Sequence, residues 1–74
     1  MRVNKTQALL FIYTRLLRNR RIEKKEIISE LEISNITFLH YIQELRAFFA
    51  NFNLDYEVVY QKYNDCYVLV TSHN

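Results

Sequence analysis

The chain has 74 residues, enough for one domain near the lower limit at which an apolar core holds a fold without metal or disulfides. Half of those residues are hydrophobic and none is glycine or proline, which excludes a disordered tail and leaves little chain for long loops. The net charge is only +2, and the lone Cys66 beside His40 and His73 excludes an internal disulfide and any zinc-ligand spacing, so a reducing, cytoplasmic setting without metal or cofactor fits best.

The first predicted element is a helix over about 6–19, where Leu9, Ile12, Tyr13, Leu16 and Leu17 recur at the spacing that lines one face. Thr6 is the expected cap. Phe11 falls on the opposite side with Arg15 and Arg18, which marks it as a candidate dimer surface. A basic connection, NRRIE, follows. The cations Arg15, Arg18, Arg20, Arg21, Lys24 and Lys25 all fall within eleven residues, whereas Asp55, Glu57 and Asp65 lie toward the C-terminus, an asymmetry that suits an anionic partner on one side.

A short second helix is predicted over about 24–32, with Ile27, Ile28 and Leu31 inward. The link Glu32-Ile33-Ser34 is sharp, and the Ser34 hydroxyl is well suited to accept an orphan backbone N–H of the third helix, predicted over 35–52. Phe38, Ile42, Leu45, Phe49 and Phe52 form its expected buried stripe, and Asn51 and Asn53 can end it. From Tyr56 the period changes to two. YEVVYQK and CYVLVTS, rich in Val and Tyr, flank Tyr63-Asn64-Asp65 and predict a β-hairpin over about 56–71.

Helix, helix, turn, longer helix and hairpin is the layout of a winged helix-turn-helix, so the expected fold is α+β: three helices followed by a hairpin wing, one domain over residues 1–74. The run KKEIISELEISNITFLHYIQEL, with Ser34, Thr37, Phe38, Ile42 and Leu45 at the matching positions, resembles the helix-turn-helix of DeoR-type and Mga/BglG-type bacterial transcription regulators. RAFFANFNLDYEVVYQKYNDCYVLV resembles the continuation in the Mga type, where a long third helix leads into a strand pair. Two positions depart from that pattern: Glu32 stands where the family commonly has glycine, and His40 where it often has Arg or Lys. Glu32 costs little there if its backbone keeps a negative φ.

The resemblance implies sequence-specific binding of double-stranded DNA, with the third helix in the major groove. Outward on that helix lie Ile36, Leu39, His40, Gln43, Ala47 and Ala50. Gln43 can bond bidentately to adenine, Ile36 or Leu39 can touch a thymine methyl, Asn35 can add an amide contact, and His40 occupies the position that the resemblance makes a base or phosphate contact. Arg20, Arg21, Lys24 and Lys25, around the start of the second helix, are the expected phosphate contacts, joined by Ser34, Thr37 and the helix N-terminus. Gln61, Lys62, Tyr63 and Asn64 are the candidate wing contacts, although Asp65 beside them repels phosphate. Tyr13, Tyr41, Tyr56, Tyr60 and Tyr67 read as core or sheet residues, and Cys66 as a small hydrophobe in a strand.

A homodimer is expected because one such module covers a short site. No catalytic constellation, glycine-rich phosphate loop or enclosed carboxylate pair is visible, so neither an enzyme nor a small-molecule substrate is expected. No segment approaches the roughly 18 apolar residues of a membrane span, and MRVNKTQ lacks a signal-peptide core. A second reading is a winged-helix protein-interaction module, an adaptor or an antagonist of another regulator. It draws on the absence of any Lys or Arg between Lys25 and Arg46.

Overall fold

Asn4, rather than Thr6, opens the first helix: its side-chain oxygen accepts the Gln7 amide at 2.8 Å, so the helix α1 spans Lys5–Asn19. The computed structural model describes residues 3–71. Within them follow β1 (Arg21–Glu23), α2 (Lys24–Leu31), α3 (Asn35–Asn51), β2 (Tyr56–Gln61) and β3 (Cys66–Thr71), an α+β arrangement of three helices and a three-stranded antiparallel sheet in the order β1-β3-β2.

β1 was not expected. The NRRIE connection is no loop: it pairs Arg21 with Val68, Ile22 with Tyr67 and Glu23 with Cys66, and the Leu69 amide donates to the Arg20 carbonyl at 2.8 Å. Ile22 is buried between two exposed charged neighbours, and this single apolar residue anchors the strand in the core. The hairpin β2–β3 pairs Tyr56 with Thr71 through Gln61 with Cys66. Its inner face sets Val58, Tyr67 and Leu69 against the helices, and Tyr67 meets Phe38 edge-on at 5.4 Å.

In a chain without glycine, the residues that must turn left-handed are of other types. Arg20 (φ 64) closes α1, Glu32 (φ 55) closes α2, Asn53 (φ 54) follows α3 and Asp65 (φ 53) closes the hairpin. Asn and Asp tolerate this region because their short polar side chains bond locally; Arg and Glu do so at a cost of about 1 kcal/mol or more. Glu32 therefore does not keep the negative φ that its side chain prefers, and the turn into α3 holds strain that glycine would lack. It also ends α2 at Leu31 rather than Glu32, because a left-handed residue cannot continue the helix.

The α3 stripe buries Phe38, Ile42, Leu45 and Phe49, but not Phe52, which is 66% exposed. The helix stops at Asn51, and the chain reverses through Asn53 so that the Leu54 amide bonds to the Phe49 carbonyl at 2.9 Å and Tyr56 packs on the Phe49 ring at 5.5 Å. Those two residues, not Phe52, pack onto the core beyond Phe49. On α1, Ile12 and Leu16 are fully buried as expected, with Ala8 beside them. Phe11 is not an open outward residue: it is half-buried against the core, with the Arg15 guanidinium 4.8 Å from its ring centre.

Candidate nucleic-acid interface

The N-terminus of α3 is organised by Ser34. Its hydroxyl oxygen accepts the Thr37 amide at 3.1 Å, and the hydroxyl itself bonds Thr37 Oγ1 at 2.9 Å. Both hydroxyls expected to meet phosphate are thus engaged with each other, and Thr37 is half-buried. Their first role here is to fix the direction in which α3 leaves the turn.

From that fixed start, Asn35, Ile36, Leu39, His40 and Gln43 are all exposed, as are Ala47 and Ala50 farther along. Ile36 is 65% exposed. No acidic residue interrupts the run from Ser34 to Gln43. The next position, Glu44, is paired with Lys5 of α1, whose amine is raised above its ordinary pKa by the hydrogen bond and the charge of that carboxylate. Periodicity alone could not reveal this pair, because it joins two helices that meet only in the fold.

The basic residues fall into two groups. Arg15 is held by its surroundings, 3.3 Å from both Glu26 and Glu30 of α2 and stacked over Phe11, so it fastens α1 to α2. Arg18, Arg20, Arg21, Lys24 and Lys25 form a run over the end of α1, β1 and the start of α2. Arg20 and Lys25 are exposed. The Arg21 guanidinium donates to the Cys66 sulfur at 3.0 Å, on a thiol that is fully buried. Lys24 sits 3.5 Å from Asp65, and its backbone amide donates to the Asp65 carbonyl at 3.3 Å.

That contact changes the wing. Asp65 accepts the Tyr60 hydroxyl at 2.8 Å; this bond, with the charge of Lys24, holds the carboxyl below the usual carboxylate range, and the same bond, with burial and the Asp65 charge, raises the Tyr60 phenol. The acid expected to repel phosphate is thus partly neutralised. At the tip, Lys62 and Tyr63 project, Tyr63 at 84% exposure. Gln61 and Asn64 instead turn inward, the Gln61 carbonyl oxygen accepting from both Tyr63 and Asn64 at 3.4 Å. Lys62 and Tyr63 are therefore the exposed wing residues, Tyr63 with its hydroxyl donated to the Gln61 side chain.

Arg46, which sequence reasoning left without a role, donates twice to the Val58 carbonyl, at 2.9 and 3.3 Å, and so ties α3 to the hairpin. Among the described residues no group of three His, Cys, Asp or Glu side chains converges as a metal site, and no helix is long and apolar enough to cross a membrane. His73 lies outside the described residues. No protein-family model, curated protein or solved structure matches this chain.

Proposed function

We propose that this chain is a winged helix-turn-helix domain that binds double-stranded DNA with sequence preference, the DNA-binding part of a bacterial transcription regulator working in the cytoplasm. α3 enters the major groove, and Arg20, Arg21 and Lys25 meet the backbone beside it. The observation that carries this reading is the α3 face from Asn35 to Gln43: exposed, free of acid, fixed by the Ser34 cap, and bordered by a carboxylate that Lys5 already neutralises. The element order and the three-stranded sheet are compatible with a winged helix.

On that face Gln43 and Asn35 read adenine through amide pairs, and Ile36 and Leu39 pack on thymine methyls, which favours A·T-rich sites. His40 lies between them and reaches a base edge or a phosphate. Thr37, whose hydroxyl accepts from Ser34, keeps its own hydrogen to donate to a phosphate oxygen, whereas the Ser34 hydrogen already serves the cap. Lys62 and Tyr63 follow the flanking backbone as the wing. The domain is a binding module, not an enzyme, and takes no cofactor.

With four to six phosphates neutralised, the logarithm of the binding constant falls against the logarithm of salt concentration with a slope of roughly −4 to −5. The double variant Arg20→Ala/Lys25→Ala should reduce that slope by about 2, measured by fluorescence anisotropy with a labelled duplex. A slope near zero in the unaltered chain would refute phosphate contact. The second reading, a winged-helix adaptor or antagonist that binds a protein, is favoured by one feature, the apolar Ile36 and Leu39 standing open on α3. Under it the same double variant leaves partner binding intact.

A further inference from the structure

Glu44 stands on the outward face of α3, although the apolar pattern of the helix does not mark it there. At 3.6 residues per turn, Gln43 and Glu44 lie equally far, about 130°, from the middle of the stripe that Phe38, Ile42, Leu45 and Phe49 bury, one on each side. His40 and Ala47 fall between them. These four residues line one open groove of about 450 Å³ together with Lys5 of α1, and the Lys5 ammonium engages the Oε2 oxygen of Glu44. The Lys5 and Glu44 side chains keep 57% and 48% of their surface in water. A pair so exposed adds little to stability. Its effect is instead to hold a carboxylate at a set place in the groove with its charge cancelled.

We propose that Glu44 reads a cytosine, and that Lys5 is the residue that positions it for that contact. The inference rests on the reading in which α3 enters the major groove of DNA. In that groove cytosine presents only its N4 amino donor, whereas guanine presents N7 and O6, and thymine O4, all of them acceptors. An ionised carboxylate accepts and cannot donate. It is therefore drawn to cytosine and repelled by guanine and thymine, while adenine offers a donor at N6 but sets the N7 acceptor beside it. Gln43, whose amide both donates and accepts, suits that adenine edge instead. Two neighbours on one helix thus have different requirements, and the duplex they fit is an A·T-rich run with a C·G pair on the Glu44 flank.

Lys5 removes the obstacle to such a contact. A carboxylate without a cation would face the phosphates on either side of the groove, and the like charges would oppose binding to every sequence. With Oε2 held by the ammonium, Oε1 is left for the base. Because Lys5 belongs to α1 and Glu44 to α3, the direction of the carboxylate follows from how the two helices pack.

Selection of duplexes from a pool with a randomised centre, followed by fluorescence anisotropy with each of the four bases at the selected position, tests the proposal. The unaltered chain should select cytosine beside an A·T-rich run and lose roughly tenfold in affinity when another base replaces it. In Glu44→Gln, which keeps the shape of an exposed side chain, that preference should vanish or turn to adenine, the base an amide pairs with. Lys5→Gln should weaken binding to every duplex, and the same change should cost little once Glu44→Gln is present. Net charge, or a phosphate contact made by Lys5, would instead make the two changes additive. An unchanged cytosine preference in Glu44→Gln, no cytosine in the duplexes selected by the unaltered chain, or equal losses from Lys5→Gln with and without Glu44→Gln would overturn the proposal and leave the DNA reading standing. Binding without any base preference, or no binding at all, would overturn both.

Discussion

Glu32 and Asp65 both occupy left-handed positions, and they differ in how well the backbone of each residue type tolerates that region. Asp65 bonds Tyr60 and faces Lys24, so its geometry and its charge support the same local structure. Glu32 has a longer side chain and a β-carbon that crowds the following carbonyl. Glu32→Gly should therefore raise stability by about 1 kcal/mol in urea unfolding, the relieved strain being offset in part by glycine's greater freedom in the unfolded chain. A clear loss of stability would show that the turn is not strained.

Asp65 makes a separate pH prediction. Because its carboxyl is lowered in the fold, it contributes stability above the ordinary carboxylate range, and that contribution disappears as the pH falls through the lowered value. Tyr60 is raised, so its contribution is present at neutral pH and is lost as the pH climbs through the phenol range. Asp65→Asn retains a residue that tolerates positive φ but removes the charge. The variant should show a flatter acid limb in thermal melts from neutral pH downward, and an unchanged acid limb would count against the Tyr60–Asp65–Lys24 set.

Among the elements, the turn and α3 depend on one cap. Ser34→Ala removes the acceptor for the Thr37 amide and should cost about 1 kcal/mol, read by urea denaturation. Deletion of the buried anchor of β1 is more severe: Ile22→Ala should cost about 2–5 kcal/mol and release the edge strand from Val68 and Tyr67, seen as faster amide exchange at Leu69. The helices and the hairpin were legible in the sequence because each carries several apolar residues at its own period, as in Ile12 with Leu16 or Phe38 with Ile42. β1 was not, because three residues with one buried Ile give no period to detect, and its pairing partner lies in the last strand. Phe52 misled for the opposite reason: it keeps the helical spacing, but Asn53 turns the chain before the spacing can bury it.

At the scale of the whole molecule, charge decides what each surface can approach. Arg15, Lys5 and Lys24 are neutralised by Glu26, Glu30, Glu44 and Asp65, while Arg18, Arg20, Lys25 and Lys62 stand in solvent without an ion pair among the described residues. The α3 residues read as outward from the helical wheel are all exposed, but so are Glu44, Arg46 and Phe48, which the wheel reading did not name. Which cations remain available was not readable in the sequence, since every one of those ion pairs joins residues from different elements, and only packing brings them together. The account's central claim is that α3 reads DNA. Amide NMR spectra of the labelled chain, recorded as short A·T-rich and mixed duplexes are added at low and then higher salt, test it most directly. The prediction is that Asn35, Ile36, His40 and Gln43 shift together with Arg20 to Lys25, more strongly for the A·T-rich duplex, and that the shifts recede as salt rises. Shifts confined to the basic residues, or no shift at all at low salt, would contradict it.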